Sequence, residues 1–174
     1  MNSLLFIVCV AFKFALADVF VFDLHPPSSP STCMGFVNSS INAPSTLTPC
    51  FTSLPTRPNP PTQGFFAIYP TSVAQSGDFG SVAVNMVTSS STNLCLTVPG
   101  GNIDDNVQVQ AQTCLSPAKN RQLWRMLNGP SSNTVIIQWD AQGKCLTKAG
   151  TTVTTVDCNG STSQVWAVTF GVTR

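Results

Sequence analysis

The sequence predicts an all-β fold made of three related units, and composition and repetition are the observations that predict it. All seven acidic residues are Asp, none is Glu, and Ser and Thr number 19 and 20. Strong helix formers are therefore scarce, whereas residues typical of strands and turns are abundant. A short β-like run, two cysteines and a Gln-x-aromatic triplet follow one another three times, which is typical of a fold built from repeats.

The repeated elements occur in a constant order. The β-like runs lie at 19–22, 82–87 and 135–139, and the triplets lie at 63–65, 122–124 and 164–166. Between them, turn residues at 99–102, 128–130 and 141–143 separate short strands, and 107–112 alternates apolar and polar residues like a half-buried strand. Most of the prolines lie in the first unit, where Pro55–Pro61 is interpreted as a loop insertion.

Charge limits the classes of partner. Charged residues make up 9% of the 174-residue chain, and the formal net charge is +1 at pH 7. An ordinary soluble domain carries about 25% charged residues. Lys and Arg form no cluster, so the chain lacks the basic surface that binds a phosphate backbone or an anionic membrane. We therefore expect no nucleic-acid partner and no membrane insertion.

The first 17 residues have the pattern of a secretory signal peptide. An apolar block at 4–12 follows a short polar start, and Ala15-Leu16-Ala17 supplies the small residues that a signal peptidase accepts. A membrane anchor is the alternative, but Lys13 interrupts the apolar stretch, which is shorter than the about 20 residues of a span. Cleavage before Asp18 predicts a secreted chain, residues 18–174, long enough for a single domain with its own core.

Removal of the signal peptide leaves an even number of cysteines. Cys9 is lost with it, so the remaining six form three couples along the chain: Cys33 and Cys50, Cys95 and Cys114, Cys145 and Cys158. An even count in a secreted chain indicates disulfides that supplement the core, although the count alone leaves their pairing open.

The second and third units carry family-specific motifs. Cys95-Leu96-Thr97-Val98-Pro99-Gly100-Gly101-Asn102, residues 107–110, Cys114 and Asn120-Arg121-Gln122-Leu123-Trp124 strongly resemble one repeat of the ricin B-type lectin domain. Residues 144–147, 157–160 and 164–166 resemble a second repeat. The resemblance covers roughly residues 80–174 and is weak over 18–79, where Phe65 replaces the Trp of the triplet.

The resemblance implies a β-trefoil, in which three four-stranded units surround a pseudo-threefold axis, six strands form a barrel and six cap it. Repeats of about 18–79, 80–132 and 133–174 would bury a common core that no unit completes alone. Pairing within each repeat would give the disulfides Cys33–Cys50, Cys95–Cys114 and Cys145–Cys158. The triplets would supply buried aromatics, Phe65, Trp124 and Trp166, and glutamines that bond nearby backbone, Gln63, Gln122 and Gln164.

The resemblance also implies where a sugar would bind. Members that bind galactose-like sugars use Asp, Gln and Asn side chains for the hydroxyls and an aromatic ring for the apolar face of the sugar. In this sequence the Asp position carries Gly35, Thr97 and Thr147. The aromatic position carries Thr48, Gln112 and Val156, so no repeat retains the standard site.

The second repeat retains most of the set. Gln110 and Gln122 match, Asn120 lies one place early because Arg121 takes the Asn position, and Asp104 and Asp105 lie in the adjoining loop. The two Asp residues are a displaced carboxylate or simply a solvated turn. We expect a carbohydrate site made of Asp104, Asp105, Gln110, Asn120 and Gln122, with glycans or glycoproteins as partners of a secreted, monomeric lectin.

Catalytic chemistry has little support. The single histidine, His25, lacks metal-ligand partners in the sequence, and a Ser-His-Asp triad would require that same residue. Asp140 and Asp157 are candidates for a glycosidase pair only because nothing excludes them. We therefore expect neither an enzyme nor a metal or cofactor.

Two further functions and one modification remain as alternatives. A β-trefoil can also act as a secreted protease inhibitor, for which the insertion Pro55–Pro61 would be a suitable extended loop, or as an effector that binds a protein. Asn38-Ser39-Ser40 and Asn159-Gly160-Ser161 fit the N-glycosylation pattern. Asn38 is favoured because Asn159 directly follows Cys158.

Overall fold

A computed structural model of the protein describes residues 20–50, 63–68, 85–88, 93–115, 120–140 and 142–172. The predicted signal peptide and the insertion Pro55–Pro61 lie outside these residues. Strands account for most of the described residues, and the helical segments among them are three 3-10 turns at Pro99–Gly101, Asn120–Gln122 and Thr162–Gln164. The all-β prediction is therefore confirmed.

The strands fall into three consecutive units. The first contains β1 (Phe20–His25), β2 (Thr32–Phe36), β3 (Ala43–Pro49) and β4 (Gly64–Ile68). The second contains β5 (Asn85–Thr88), β6 (Leu94–Thr97), β7 (Val107–Gln108), β8 (Gln110–Thr113) and β9 (Trp124–Asn128). The third contains β10 (Thr134–Trp139), β11 (Lys144–Ala149), β12 (Thr152–Asp157) and β13 (Val165–Val172). Each unit thus supplies two outer strands and an inner hairpin.

The outer strands build a barrel by antiparallel pairing. β1 pairs with β4 and β13, β4 pairs with β5, and β10 pairs with β9 and β13. The inner strands form three hairpins, β2–β3, β6–β8 and β11–β12, which cap the barrel. This arrangement is the β-trefoil that the resemblance implies, and its apolar core lies inside the barrel and beneath the hairpins.

One disulfide fastens each hairpin. The bonds are Cys33–Cys50, Cys95–Cys114 and Cys145–Cys158, with Cα–Cα distances of 4.8, 5.0 and 4.9 Å. In each case the first cysteine belongs to the first hairpin strand, and the second follows directly after the second strand. The three bridges therefore occupy equivalent places in the three units.

The hairpins meet at the pseudo-threefold axis. The equivalent residues there are Ser45, Val109 and Val153. In each unit, this residue lies three positions before the one that pairs across the hairpin with the first cysteine. The Ser45 amide donates to the Val109 carbonyl (3.0 Å), and the Val109 amide donates to the Val153 carbonyl (3.1 Å). Because Val109 uses its backbone across the axis, the third strand of the second repeat is divided into β7 and β8.

The aromatic members of the triplets are completely buried. Trp124 Nε1 donates to the Leu96 carbonyl at 3.0 Å, and Trp166 Nε1 donates to the Leu146 carbonyl at 2.9 Å. Phe65 has no such donor and packs against Phe22 and Phe36, with ring centroids about 6 Å away. The predicted core role of the three aromatics is confirmed.

The glutamines of the triplets are buried hydrogen-bonding groups. Gln164 Nε2 donates to the Asp157 carbonyl (2.8 Å), and its Oε1 accepts from the amide of Asn159 (2.9 Å). Gln63 Nε2 donates to the Pro49 carbonyl (2.8 Å). Each glutamine thus satisfies backbone groups where the chain leaves a hairpin, since buried polar backbone must be paired.

Asp23 on β1 is a buried carboxyl whose pKa is shifted by burial alone. Its Oδ1 has no hydrogen-bond partner within the described residues, and burial raises its pKa from 3.8 to about 6. Because the folded state favours the protonated carboxyl, the ionisation cost is absent well below the ordinary pKa of 3.8, begins as the pH rises through that value, and is fully present above the folded pKa of about 6.

Asp23→Asn should therefore stabilise the protein at pH 7. The pKa difference corresponds to about 3 kcal/mol at most, which solvent screening reduces to about 1–2 kcal/mol. Urea unfolding at pH 3, 5.5 and 7 would measure the gain, which should nearly vanish at pH 3. Asp104→Asn, at an exposed carboxyl, is the control, and a gain independent of pH would contradict the burial argument.

Candidate functional site

The residues of the second repeat that resemble a sugar site lie on one face of the hairpin β6–β8. Thr97 is opposite Gln110, and Cys95 is opposite Gln112. Side chains two positions apart in a strand, and directly opposite in an antiparallel ladder, share a face. Thr97, Gln110 and Gln112 are therefore neighbours.

Two 3-10 turns meet beside this face. The Val98 amide donates to the Arg121 carbonyl at 3.0 Å, which fastens the turn Asn120–Gln122 to the end of β6. On the other turn, Gly101 has φ 69°, and a Cβ at that position would lie 3.9 Å from the Cβ of Arg121. Arg121, the middle residue of its turn, therefore lies near the turn Pro99–Gly101. We call Thr97, Gln110, Gln112 and Arg121 the second-repeat cluster.

A buried amide supports the cluster from below. Gln122 has 0% exposure, and its Nε2 donates to Thr97 Oγ1 and to the Thr113 carbonyl, both at 2.9 Å. Its Oε1 accepts from the Leu115 amide at 2.8 Å. Gln122 therefore presents no surface to a solute in this structure, and it holds Thr97 and the chain after the hairpin in place.

The upper part of the cluster consists of partly exposed polar groups. Gln112 Nε2 donates to Gln110 Oε1 at 3.3 Å, which aligns the two amides along β8. Arg121 is also partly exposed, but its Nε is buried and has no hydrogen-bond partner in the part of the chain that the structure describes. The cluster thus combines two amides with a guanidinium group on a rigid base.

The other predicted site residues have different surroundings. Asp104 is exposed, and its amide donates to Asn102 Oδ1 at 3.0 Å, as in a solvated Asx turn. Asp105 Oδ1 accepts from Lys144 Nζ at 2.6 Å and from the Asp157 amide at 3.1 Å. Asn120 begins the turn Asn120–Gln122, but its side chain lies outside the described residues.

The Asp105 carboxylate therefore connects the second repeat to the third. Lys144 Nζ lies 2.6 Å from Asp105 and 2.7 Å from Asp157, and the lysine side chain is only 11% exposed. The hydrogen bond from Lys144 holds the pKa of Asp105 below its ordinary value, and the same bond raises the pKa of Lys144. Lys144 carries no local sequence signal for this role, because it lies 39 positions after Asp105 and only the fold brings the two side chains together.

The corresponding face of the third repeat is differently arranged. Lys148, which follows the Asp-equivalent Thr147, donates from Nζ to the carbonyls of Thr162 (2.8 Å) and Val165 (3.0 Å). Its ammonium lies 5.5 Å from the centroid of the Trp166 ring, and burial lowers its pKa. The third repeat thus directs a lysine ammonium to its own backbone, and the second repeat, which retains most of the family's sugar-binding residues, is the candidate site.

The groups considered for catalysis make ordinary structural contacts. His25 Nε2 lies 3.2 Å from Thr169 Oγ1, and Asp140 pairs with Arg125. Across the described ranges, no group of three or more His, Cys, Asp or Glu residues could hold a metal ion. In the same part of the chain, no helix has the length and apolar character required to cross a bilayer.

Solved structures share this architecture at low sequence identity. The designed threefold-symmetric protein ThreeFoil has a TM-score of 0.66 and 17% identity, over 85% of this chain and 96% of that one. The exo-β-1,3-galactanase 1,3Gal43A of Clostridium thermocellum has a TM-score of 0.65 and 16% identity, over 87% and 30%. The Polyporus squamosus lectin, solved with a human-type influenza-binding epitope, has a TM-score of 0.62 and 11% identity, over 89% and 49%.

Sequence comparison identifies the family. Curated protein sequences give no match. The family model for the ricin-type β-trefoil lectin domain matches residues 83–172, which include both Gln-x-Trp triplets and the second-repeat cluster. With the fold, the disulfides and the triplets described above, this match leads to one conclusion: the chain belongs to the ricin-type β-trefoil lectin domain family.

Proposed function

We propose that this protein is a secreted, monomeric lectin that binds glycans or glycoproteins through a degenerate site in the second repeat. The observation that carries the proposal is the second-repeat cluster, in which Gln110, Gln112 and Arg121 stand above a base fixed by Gln122. Amide and guanidinium groups are suited to the hydroxyls and oxygens of a sugar. Because Gln122 already holds Thr97, binding would require little reordering of this base.

The proposed site differs from the set predicted from the sequence, because two predicted residues have another role and two residues are added. In this proposal Gln110 contacts the sugar directly, and Asp104 and Asn120 belong to the edge of the site. Gln122 and Asp105 position the loops around it. Arg121 and Gln112 join as contacts, although their places in the family pattern belong to an Asn and an aromatic residue. We propose no catalytic residue, metal or cofactor.

Gln110→Ala should weaken glycan binding about 5- to 10-fold, because it removes an amide that exchanges hydrogen bonds with sugar hydroxyls. A glycan array on the mature protein would identify a ligand, and calorimetry would then compare the variants. Gln142→Ala, the same substitution outside the cluster, is the control and should bind like the wild type.

Three results would contradict parts of this proposal. Equal affinity of Gln110→Ala and the wild type would move the site out of the second repeat. No binding to any glycan would reject the lectin function, and inhibition across a protease panel would then favour the inhibitor alternative.

We also propose that Asn38 is glycosylated when the protein is secreted. Both candidate asparagines are exposed, and in both the side chain accepts from the amide two residues later, at 2.9 Å. The turn at Asn38 extends from the hairpin β2–β3, whereas the Asn159 amide is fixed by Gln164 beside a disulfide. A glycosidase-sensitive mass that disappears in Asn38→Gln and persists in Asn159→Gln is expected; the reverse pattern would refute the assignment.

A further inference from the structure

The inference concerns the charge of the ligand and rests on the proposed function. We infer that the second-repeat cluster selects an anionic sugar, a pyranose that carries a carboxylate or a sulfate, through the guanidinium group of Arg121. The observations that carry it are the unpaired buried Nε of Arg121 and the backbone bond from Val98, which fastens this residue to the end of β6, the strand paired with the two glutamines of β8.

The unpaired Nε of Arg121 is the first step. Buried donors in folded proteins are nearly always hydrogen-bonded, so an unpaired one requires an explanation. Arg121 accepts a hydrogen bond at its backbone carbonyl from the Val98 amide, which fixes the backbone from which its side chain starts. The buried Nε of that side chain is left without a hydrogen-bond partner in the described chain.

The acidic residues do not neutralise this charge. The described residues contain five Asp, of which Asp105 and Asp157 pair with Lys144 and Asp140 pairs with Arg125. Asp23 is buried on β1, and Asp104 is an exposed carboxyl in the loop after the turn Pro99–Gly101. No ion pair joins any of these five carboxylates to Arg121, which supports a role for this cation in binding an anionic ligand.

The base of the cluster is neutral, which favours an anion. Thr97 opposes Gln110 on the ladder, and its hydroxyl donates to the Cys95 carbonyl at 2.9 Å while it accepts from Gln122. A carboxylate at this position would repel an anionic ligand, whereas the hydroxyl does not.

A singly charged sugar suits the cluster better than a polyanion does. The planar guanidinium group matches the paired oxygens of a carboxylate or sulfate, and Gln110 and Gln112 can bind hydroxyls of the same ring. The chain has a net charge of +1 and one cation in the cluster, which is far less than a phosphate polymer requires.

The test compares sugars that differ only in charge. An array would carry neutral and acidic partners of the same stereochemistry: galactose with galacturonic acid, glucose with glucuronic acid, and each neutral sugar with its 6-sulfate. The wild type should bind the acidic member of at least one pair about 10-fold more tightly, because a charge-assisted hydrogen bond is added. The uronate and sulfate arms distinguish the two sources of negative charge.

Substitution of Arg121 completes the test. Arg121→Gln should abolish the preference, so that the acidic and the neutral member of each pair bind equally, and Arg121→Lys should retain part of it. Arg125→Gln is the matched control, since it removes the same charge outside the cluster. An acidic preference that survives in Arg121→Gln, or equal binding within every pair, would overturn this inference but leave the lectin function intact. No binding to any sugar would reject the lectin function itself.

Discussion

Trp166→Ala should destabilise the protein by about 3–5 kcal/mol, the range for truncation of a large buried aromatic. The ring is completely buried in the common core, and its Nε1 donates to the Leu146 carbonyl at 2.9 Å. The substitution leaves a cavity, an unpaired carbonyl and a Lys148 ammonium without its aromatic neighbour. The free energy of unfolding in urea would measure the loss.

Trp166→Phe separates packing from hydrogen bonding. It retains most of the apolar volume but removes the donor to Leu146, so we expect a smaller loss of about 1–3 kcal/mol. The first repeat shows that the fold accepts this change, because Phe65 occupies the equivalent place. Equal losses for the Ala and Phe variants would contradict the argument that packing dominates.

Removal of the Cys95–Cys114 bridge should cost about 2–5 kcal/mol. This bridge closes the longest of the three disulfide loops, with a separation of 19 residues, and its loss frees the most chain in the unfolded state. The double variant Cys95→Ala/Cys114→Ala avoids an unpaired thiol. Its unfolding free energy and melting temperature should both fall.

The corresponding variant of the third repeat provides the comparison. Cys145→Ala/Cys158→Ala opens a loop of 13 residues, and the logarithmic dependence on loop length predicts a loss smaller by only a few tenths of a kcal/mol. Peptide mapping without reduction should show the two remaining bridges intact. An unchanged melting temperature in the Cys95/Cys114 variant would contradict a stabilising role for that bridge.

Local sequence signals predicted the repeating parts of the fold. The cysteine couples and the triplets ending at Trp124 and Trp166 give the register of their units directly, because each occupies a fixed place in its repeat. The division of β7 from β8 was not predictable in this way. It depends on the backbone of Val109 meeting Val153 across the axis, and no local pattern encodes that contact.

The candidate site was predictable in place but not in detail. The match of Gln110 and Gln122 located it in the second repeat, whereas the burial of Gln122 became evident only in the folded hairpin. Likewise, Asp105 turns towards Lys144 because two repeats pack together. In the sequence, the proposed preference for an anionic sugar is indicated by Arg121, which stands where the family pattern has an Asn.

The pairing of β1 with β13 has a consequence for the order of assembly. Phe20 is the partner of Val172, so this contact joins strands from opposite ends of the described chain. The hairpins, by contrast, pair residues close in sequence, and their disulfides span 13 to 19 positions. During synthesis each hairpin can form and oxidise soon after it emerges, but the barrel has no closed form until β13 is complete. The contacts with the greatest sequence separation therefore form last.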